Sequence, residues 1–201
     1  MAALPTTAFW RRYGGWLLIT LLWCAPEAGA QGKYQTRTGT VSFFSTSILE
    51  DIEARSEQSA ALIDLQSGQV AFVIPIKSFQ FKRTLMQEHF NENYMESEKY
   101  PKATFKGQLH NLDRDALAKG QSQQVQVEGD LFIHGVTKRV QVQGALELQK
   151  GNLLVHAFFS VAPADYGIEI PLLVRENIAR IVSIKLVASC ESVSQISAAK
   201  P

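Results

Sequence analysis

Gly129-Asp130-Leu131-Phe132-Ile133-His134-Gly135-Val136-Thr137-Lys138 joins two alternating runs across a glycine-containing turn. Before the turn, Val125, Val127, Leu131 and Ile133 share one parity with Gly129; after it, Val140, Val142, Leu146 and Leu148 share one with Gly144. Successive strand side chains point to opposite faces, so each run carries one apolar and one polar face. Gly135 can take the positive φ of a tight hairpin, and His134-Gly135-Val136-Thr137 is the expected connection.

The same alternation recurs on both sides of this hairpin. Gly39 to Ser45 reads as a strand with Val41 and Phe43 on one face. Ala61, Ile63 and Leu65 alternate, and Ser67-Gly68 marks a turn before Val70, Phe72, Ile74 and Ile76. Pro75 marks an edge or a strand end. Ala103, Phe105 and Leu109 alternate through Gly107; Leu153 to Val161 and Val182 to Ala188 complete the set, with Gly151-Asn152 as a further turn. Glu50 to Ala54 fits either a polar-flanked strand or a turn. Residues 111–123 read as a polar loop with a short helix at Ala116, and 163–171 as another loop. Residues 172–179 fit a short helix.

One segment changes period. Phe81, Leu85 and His89 are spaced by four, as are Met86, Phe90 and Tyr94, which predicts a helix over 82–98. It should end before Tyr100-Pro101, because proline disfavours helical geometry in the residue before it. Many alternating strands and one helix make an all-β domain. A two-sheet sandwich and a closed antiparallel barrel both satisfy this pattern. Closure removes the unpaired edges that invite aggregation, and a barrel of about eight strands can enclose one small ligand.

The first thirty residues read differently. Arg11-Arg12 precedes a short apolar run from Gly14 to Ala25, and Ala28-Gly29-Ala30 offers small residues for cleavage. This is the pattern of a secretory signal over 1–30, too short for a good membrane span. The expectation is an exported, periplasmic or secreted domain over 31–190 with a disordered polar tail at 191–201. Without Arg11, Arg12 and Glu27, basic and acidic residues balance, which gives no reason to expect nucleic acid as a partner. Only Cys190 then remains, so no intrachain disulfide forms and stability rests on packing. Its apolar parity makes it a buried thiol rather than a nucleophile.

Catalytic signals are sparse. Glu50, Asp51 and Glu53, or Asp165 with Tyr166, are the candidates for acid–base work; each reads equally as a solvated turn. No Gly-x-Ser-x-Gly elbow, phosphate loop or dinucleotide fingerprint is present, and no cofactor is implied. His89, His110, His134 and His156 are scattered without metal-ligand spacing, so no metal site is expected. His134, beside Gly135, reads as a turn residue bonding to backbone. These residues give no expectation of an enzyme.

Parity nominates Phe43, Phe72, Ile74, Phe105, Leu109, Leu131, Ile133, Val140, Val142, Phe159 and Ile184 as inward-facing. On pattern alone they either fill a solid core or line a lumen. An ordered series of motifs bears on this choice: Ser78-Phe79 after a strand, His89-Phe90 in the helix, Tyr100-Pro101-Lys102-Ala103-Thr104-Phe105, then residues 129–138. Together these resemble the YceI-like family over about residues 34–190. That resemblance implies a lipocalin-like antiparallel barrel with a helix over it. It also implies an isoprenoid or other lipid-like ligand in the lumen, with transient membrane contact for its exchange. On that implication the eleven side chains become lumen candidates, and the helix a lid.

Overall fold

The computed structural model describes residues 32–47 and 51–194. The expected signal segment, Glu50 and residues 195–201 lie outside the described residues.

The hairpin around His134-Gly135 is the longest uninterrupted antiparallel ladder. Strand β6 (Gln123–Ile133) pairs with β7 (Val136–Gln149) from Gln123↔Leu146 to Ile133↔Val136. The loop is only two residues, with φ of 49° at His134 and 81° at Gly135. Positive φ at both central positions is the type I′ turn, whose twist matches that of the strands it joins. The expected four-residue connection is therefore tighter, and Val136 and Thr137 already belong to β7. Lys150-Gly151 repeats the device, with φ of 52° and 87°, so Asn152 opens β8 (Asn152–Val161) instead of sitting in the turn.

The other strands are β1 (Lys33–Thr46), β2 (Asp51–Asp64), β3 (Gln69–Pro75), β4 (Gln80–Phe81), β5 (Lys102–His110) and β9 (Val182–Ser192). The sheet runs β1-β9-β8-β7-β6-β5-β3-β2, and β1 pairs with β2 to close it. The protein is thus an eight-stranded antiparallel barrel, with β4 added to β2 at Ala54↔Phe81 and Arg55↔Gln80. Closure decides between the two architectures that periodicity permits: every barrel strand has two partners. Asp51 to Ala54 is strand, and β1 begins at Lys33, six residues before the expected start at Gly39. Glu191 and Ser192 pair with Gln35 and Tyr34, so the first two residues of the expected tail extend β9.

Two short helices interrupt the strands. In α1 (Thr84–His89), regular turns give way to a π-turn over Phe90–Tyr94, where Met95 N–H donates to the Phe90 carbonyl. Glu96, at φ 43°, turns the chain out of the helix, so the helical stretch occupies only the centre of the expected 82–98 span. α2 (Arg114–Ala118) lies where a short helix was expected; Asp113 caps it by accepting from the Asp115 and Ala116 amides, both at 3.0 Å. Residues 163–166 and 172–177 form 3₁₀ turns.

Candidate functional site

The inward faces do not meet in a solid core. An upper chamber of about 190 Å³ lies inside the barrel under α1 and the 163–182 segment. A deeper chamber of about 80 Å³ lies beyond it, toward α2 and the Ser67-Gly68 turn. Their walls are almost wholly hydrocarbon. Leu, Ile, Val and Phe offer neither charge nor hydrogen bonds, so the space suits an apolar occupant and gives little purchase to a polar one.

Ten of the eleven inward candidates reach these walls. Phe43, Ile133 and Ile184 line the upper chamber; Phe72, Phe105, Leu109 and Val142 line the deeper one. Ile74, Leu131 and Phe159 line both, as does Ala103. Val140 lines neither. It sits opposite Gly129 and packs against the cluster of Leu131, Ile133 and Tyr166.

Phe105 has a second role. A methyl group on Gly107 or on Gly129 would lie 2.8 Å from its ring. The space left by these two glycines is filled by Phe105, which lies across both strands. The inward glycines at 107 and 129 therefore seat an aromatic ring rather than enlarging the lumen.

Sequence parity did not nominate the roof of the upper chamber. Phe90 stacks on Phe43 at 5.5 Å and meets Phe81 at 5.0 Å and Phe79 at 5.7 Å. Met86, Phe90 and Tyr94 line the chamber, whereas Leu85 is 62% exposed. Within the helical stretch only the second stripe thus faces inward; of the first, Leu85 and His89 are exposed, and Phe81 reaches the chamber from β4. The other missed wall is the 163–182 segment, which contributes Tyr166, Ile168, Ile170 and Ile178. Ile168 and Ile170 alternate around Glu169, a two-residue period too short to be read as a strand. Ser45, buried at the rim, accepts a 2.8 Å hydrogen bond from the Ala179 amide and fixes this segment to β1.

His134 fixes the segment from the other side. Its Nδ1 lies 3.1 Å from the Tyr166 carbonyl and its Nε2 2.9 Å from a Glu96 carboxylate oxygen. Tyr100 meets the imidazole edge-on at 4.8 Å. The expected turn residue does bond to backbone, and it also ties the chain after the π-turn to the chain after β8.

The catalytic candidates do not converge on the chambers. Asp51 and Glu53 are exposed on β2, and Asp165 faces solvent, 3.9 Å from Lys138 Nζ. Tyr166 is buried, and that burial, with Asp165 second, raises its pKa above the ordinary phenol value. Cys190 is fully buried, and desolvation pushes its thiol up to about 11. His89, His110 and His156 are exposed and dispersed. Among the described residues no group of three or more His, Cys, Asp or Glu side chains gathers as a metal site.

Comparison with known proteins agrees with this geometry. The YceI-like domain matches residues 28–190. A polyisoprenoid-binding domain from Saccharophagus degradans, implicated in plant cell wall breakdown, superposes with a TM-score of 0.68 at 20% identity, covering 80% of this chain and 98% of that one. Burkholderia cenocepacia BcnA gives 0.62 at 20% identity, covering 75% and 96%. The Campylobacter jejuni YceI protein gives 0.52 at 16% identity, covering 68% and 83%. No curated protein sequence matches the chain at a significant level. With the domain matched over most of its length and the closed barrel that such domains share, the chain belongs to the YceI-like family.

Proposed function

We propose that this protein binds an apolar, chain-like molecule, of isoprenoid or fatty-chain type, in the barrel lumen and sequesters or carries it outside the cytoplasm. The observation that carries this reading is the upper chamber, about 190 Å³ of hydrocarbon-walled space under the Phe43–Phe90 roof. Each CH₂ moved from water into such a space contributes roughly 0.8 kcal/mol. Affinity then needs no charged anchor, and none of the described residues that line the chamber is charged. The polyisoprenoid-binding domain of S. degradans supports the ligand class. The apolar run after Arg11-Arg12 supports export, which places the protein in the periplasm or outside the cell. Loading and release then involve transient contact with a membrane.

Binding is favoured over catalysis because the only carboxylates proposed for acid–base work that the structure describes are exposed. A general acid needs a pocket that shifts its pKa and holds it beside the reacting bond.

Native mass spectrometry of protein purified from a bacterial periplasm tests the reading, followed by solvent extraction of anything bound. A stoichiometric isoprenoid or fatty-chain mass is expected. A clean apo mass, with no uptake of offered lipids, would sink it.

A further inference from the structure

We propose that Ile74, Leu131 and Phe159 form a waist that limits how much of an apolar chain the barrel takes in. The protein on this reading recognises the terminal segment of its ligand and leaves the remainder at the mouth. The proposal rests on the carrier reading above and adds the length of chain enclosed.

The two chambers share these three side chains and Ala103. Ile74, Ala103 and Leu131 come from the neighbouring strands β3, β5 and β6, and Phe159 comes from β8, which stands opposite β3 in the closed ring, so Phe159 meets the other three across the lumen. Ile74 pairs with Ala103 across β3 and β5, and Leu131 pairs with Phe105 across β5 and β6. Beneath them, Phe72 pairs with Phe105, whose ring is held over Gly107 and Gly129. The Phe105 ring beneath the waist is thereby seated against the backbone of β5 and β6.

Volume makes the waist matter. A dry apolar cavity of about 150 Å³ accepts benzene. On that scale the upper chamber, about 190 Å³, holds roughly eight carbons, and the deeper one, about 80 Å³, roughly three more. Neither reaches the 300 Å³ or so at which enclosed small-ligand sites begin. A long chain cannot be swallowed whole by these spaces, and it gains the deeper one only if the waist opens.

Competition binding against a homologous series of straight-chain primary alcohols, hexanol to octadecanol, reads this directly. In the wild-type protein affinity should rise about fourfold per carbon and flatten near eight carbons. In Phe159→Ala the break should move to longer chains, with the milder Phe159→Leu in between. Ala157 lines the deeper chamber alone. Ala157→Val should leave the wild-type break unchanged and pull the Phe159→Ala break back toward it. A break at the same length in all proteins, or a wild-type rise continuing to octadecanol, overturns the waist. Phe159 variants that respond while Ala157→Val has no effect in either background also overturn it, since Phe159 would then be wall and not partition. Absence of binding by every protein to every alcohol would overturn the carrier reading, and this proposal with it.

Discussion

His134 Nε2 lies 2.9 Å from Glu96 Oε2, joining the tip of the β6–β7 hairpin to the chain that has just left the π-turn. The other ring nitrogen faces the Tyr166 carbonyl. Both neighbours are acceptors, so whichever ring nitrogen carries the proton has a partner. The side chain is 12% exposed, which strengthens the bond over its surface equivalents. His134→Ala should cost about 1–3 kcal/mol, roughly 2–4 °C of melting temperature per kcal/mol. A double-mutant cycle with Glu96→Gln should return a coupling above about 0.5 kcal/mol. Additive losses would show that the contact contributes nothing of its own.

Gly129 faces Gly107 across β5 and β6, and one aromatic ring covers both. A methyl group at Gly129 would overlap the Lys106 carbonyl, which belongs to the sheet and cannot turn aside. Gly129→Ala should therefore destabilise the barrel by about 1–3 kcal/mol through overpacking, although alanine suits a strand better than glycine. Phe105→Ala removes the ring from above the glycines and should cost about 3–5 kcal/mol. Chemical denaturation of each variant checks both. A Gly129→Ala protein as stable as wild type would mean that the two strands can part at no cost.

The strands were legible in residues such as Val125, Val127, Leu131 and Ile133 because strand alternation has a strict period of two. Closure was not, since β1–β2 pairing joins segments whose own patterns look the same in a sandwich. Ten of the eleven parity-derived positions reach the chambers for the same reason. Val140 shares their parity, yet it lies opposite Gly129 and outside both spaces. Parity gives a face, not a depth. Tyr166, Ile168 and Ile178 escaped because irregular segments carry no period that says which side points inward. Phe90 was visible as part of a helical stripe, but its stacking on Phe43, distant in sequence, was not.

Cys190 gives a pH dependence with a definite sign. Its thiol shifts from an ordinary 9.0 to about 11 on burial. The folded protein keeps the proton through a range in which the unfolded chain has lost it. The resulting stability is fully present below pH 9.0, falls as pH rises toward about 11, and levels off beyond. The total is roughly 2–3 kcal/mol. Cys190→Ala should flatten this decline in denaturant titrations across that range. At pH 8 the native thiol should resist a maleimide that labels the unfolded chain at once. Rapid labelling of the native protein would show that β9 opens locally.

Ser45 and Ala179 are 134 residues apart and share one hydrogen bond, 2.8 Å long, between a buried hydroxyl and a backbone amide. It connects β1 to the 163–182 segment, which walls the upper chamber with Ile168, Ile170 and Ile178. Ser45→Ala leaves the Ala179 amide without that acceptor, at a cost of about 1–3 kcal/mol. Most of that cost should fall on the segment rather than on the barrel, because local openings draw on whichever contacts are fewest. Hydrogen exchange should accelerate by about tenfold over 168–181 while the slowest amides of β6 and β7 keep their rates. An apolar fluorescent probe should leave the lumen faster by a similar factor, with the same capacity at saturation. Ser45→Thr, which retains the hydroxyl, should restore slow release where its extra methyl is tolerated. Equal release rates from Ser45→Ala and wild type, with exchange over 168–181 raised, would mean that ligand leaves by another route, and the π-turn roof around Phe90 would be the part to open next.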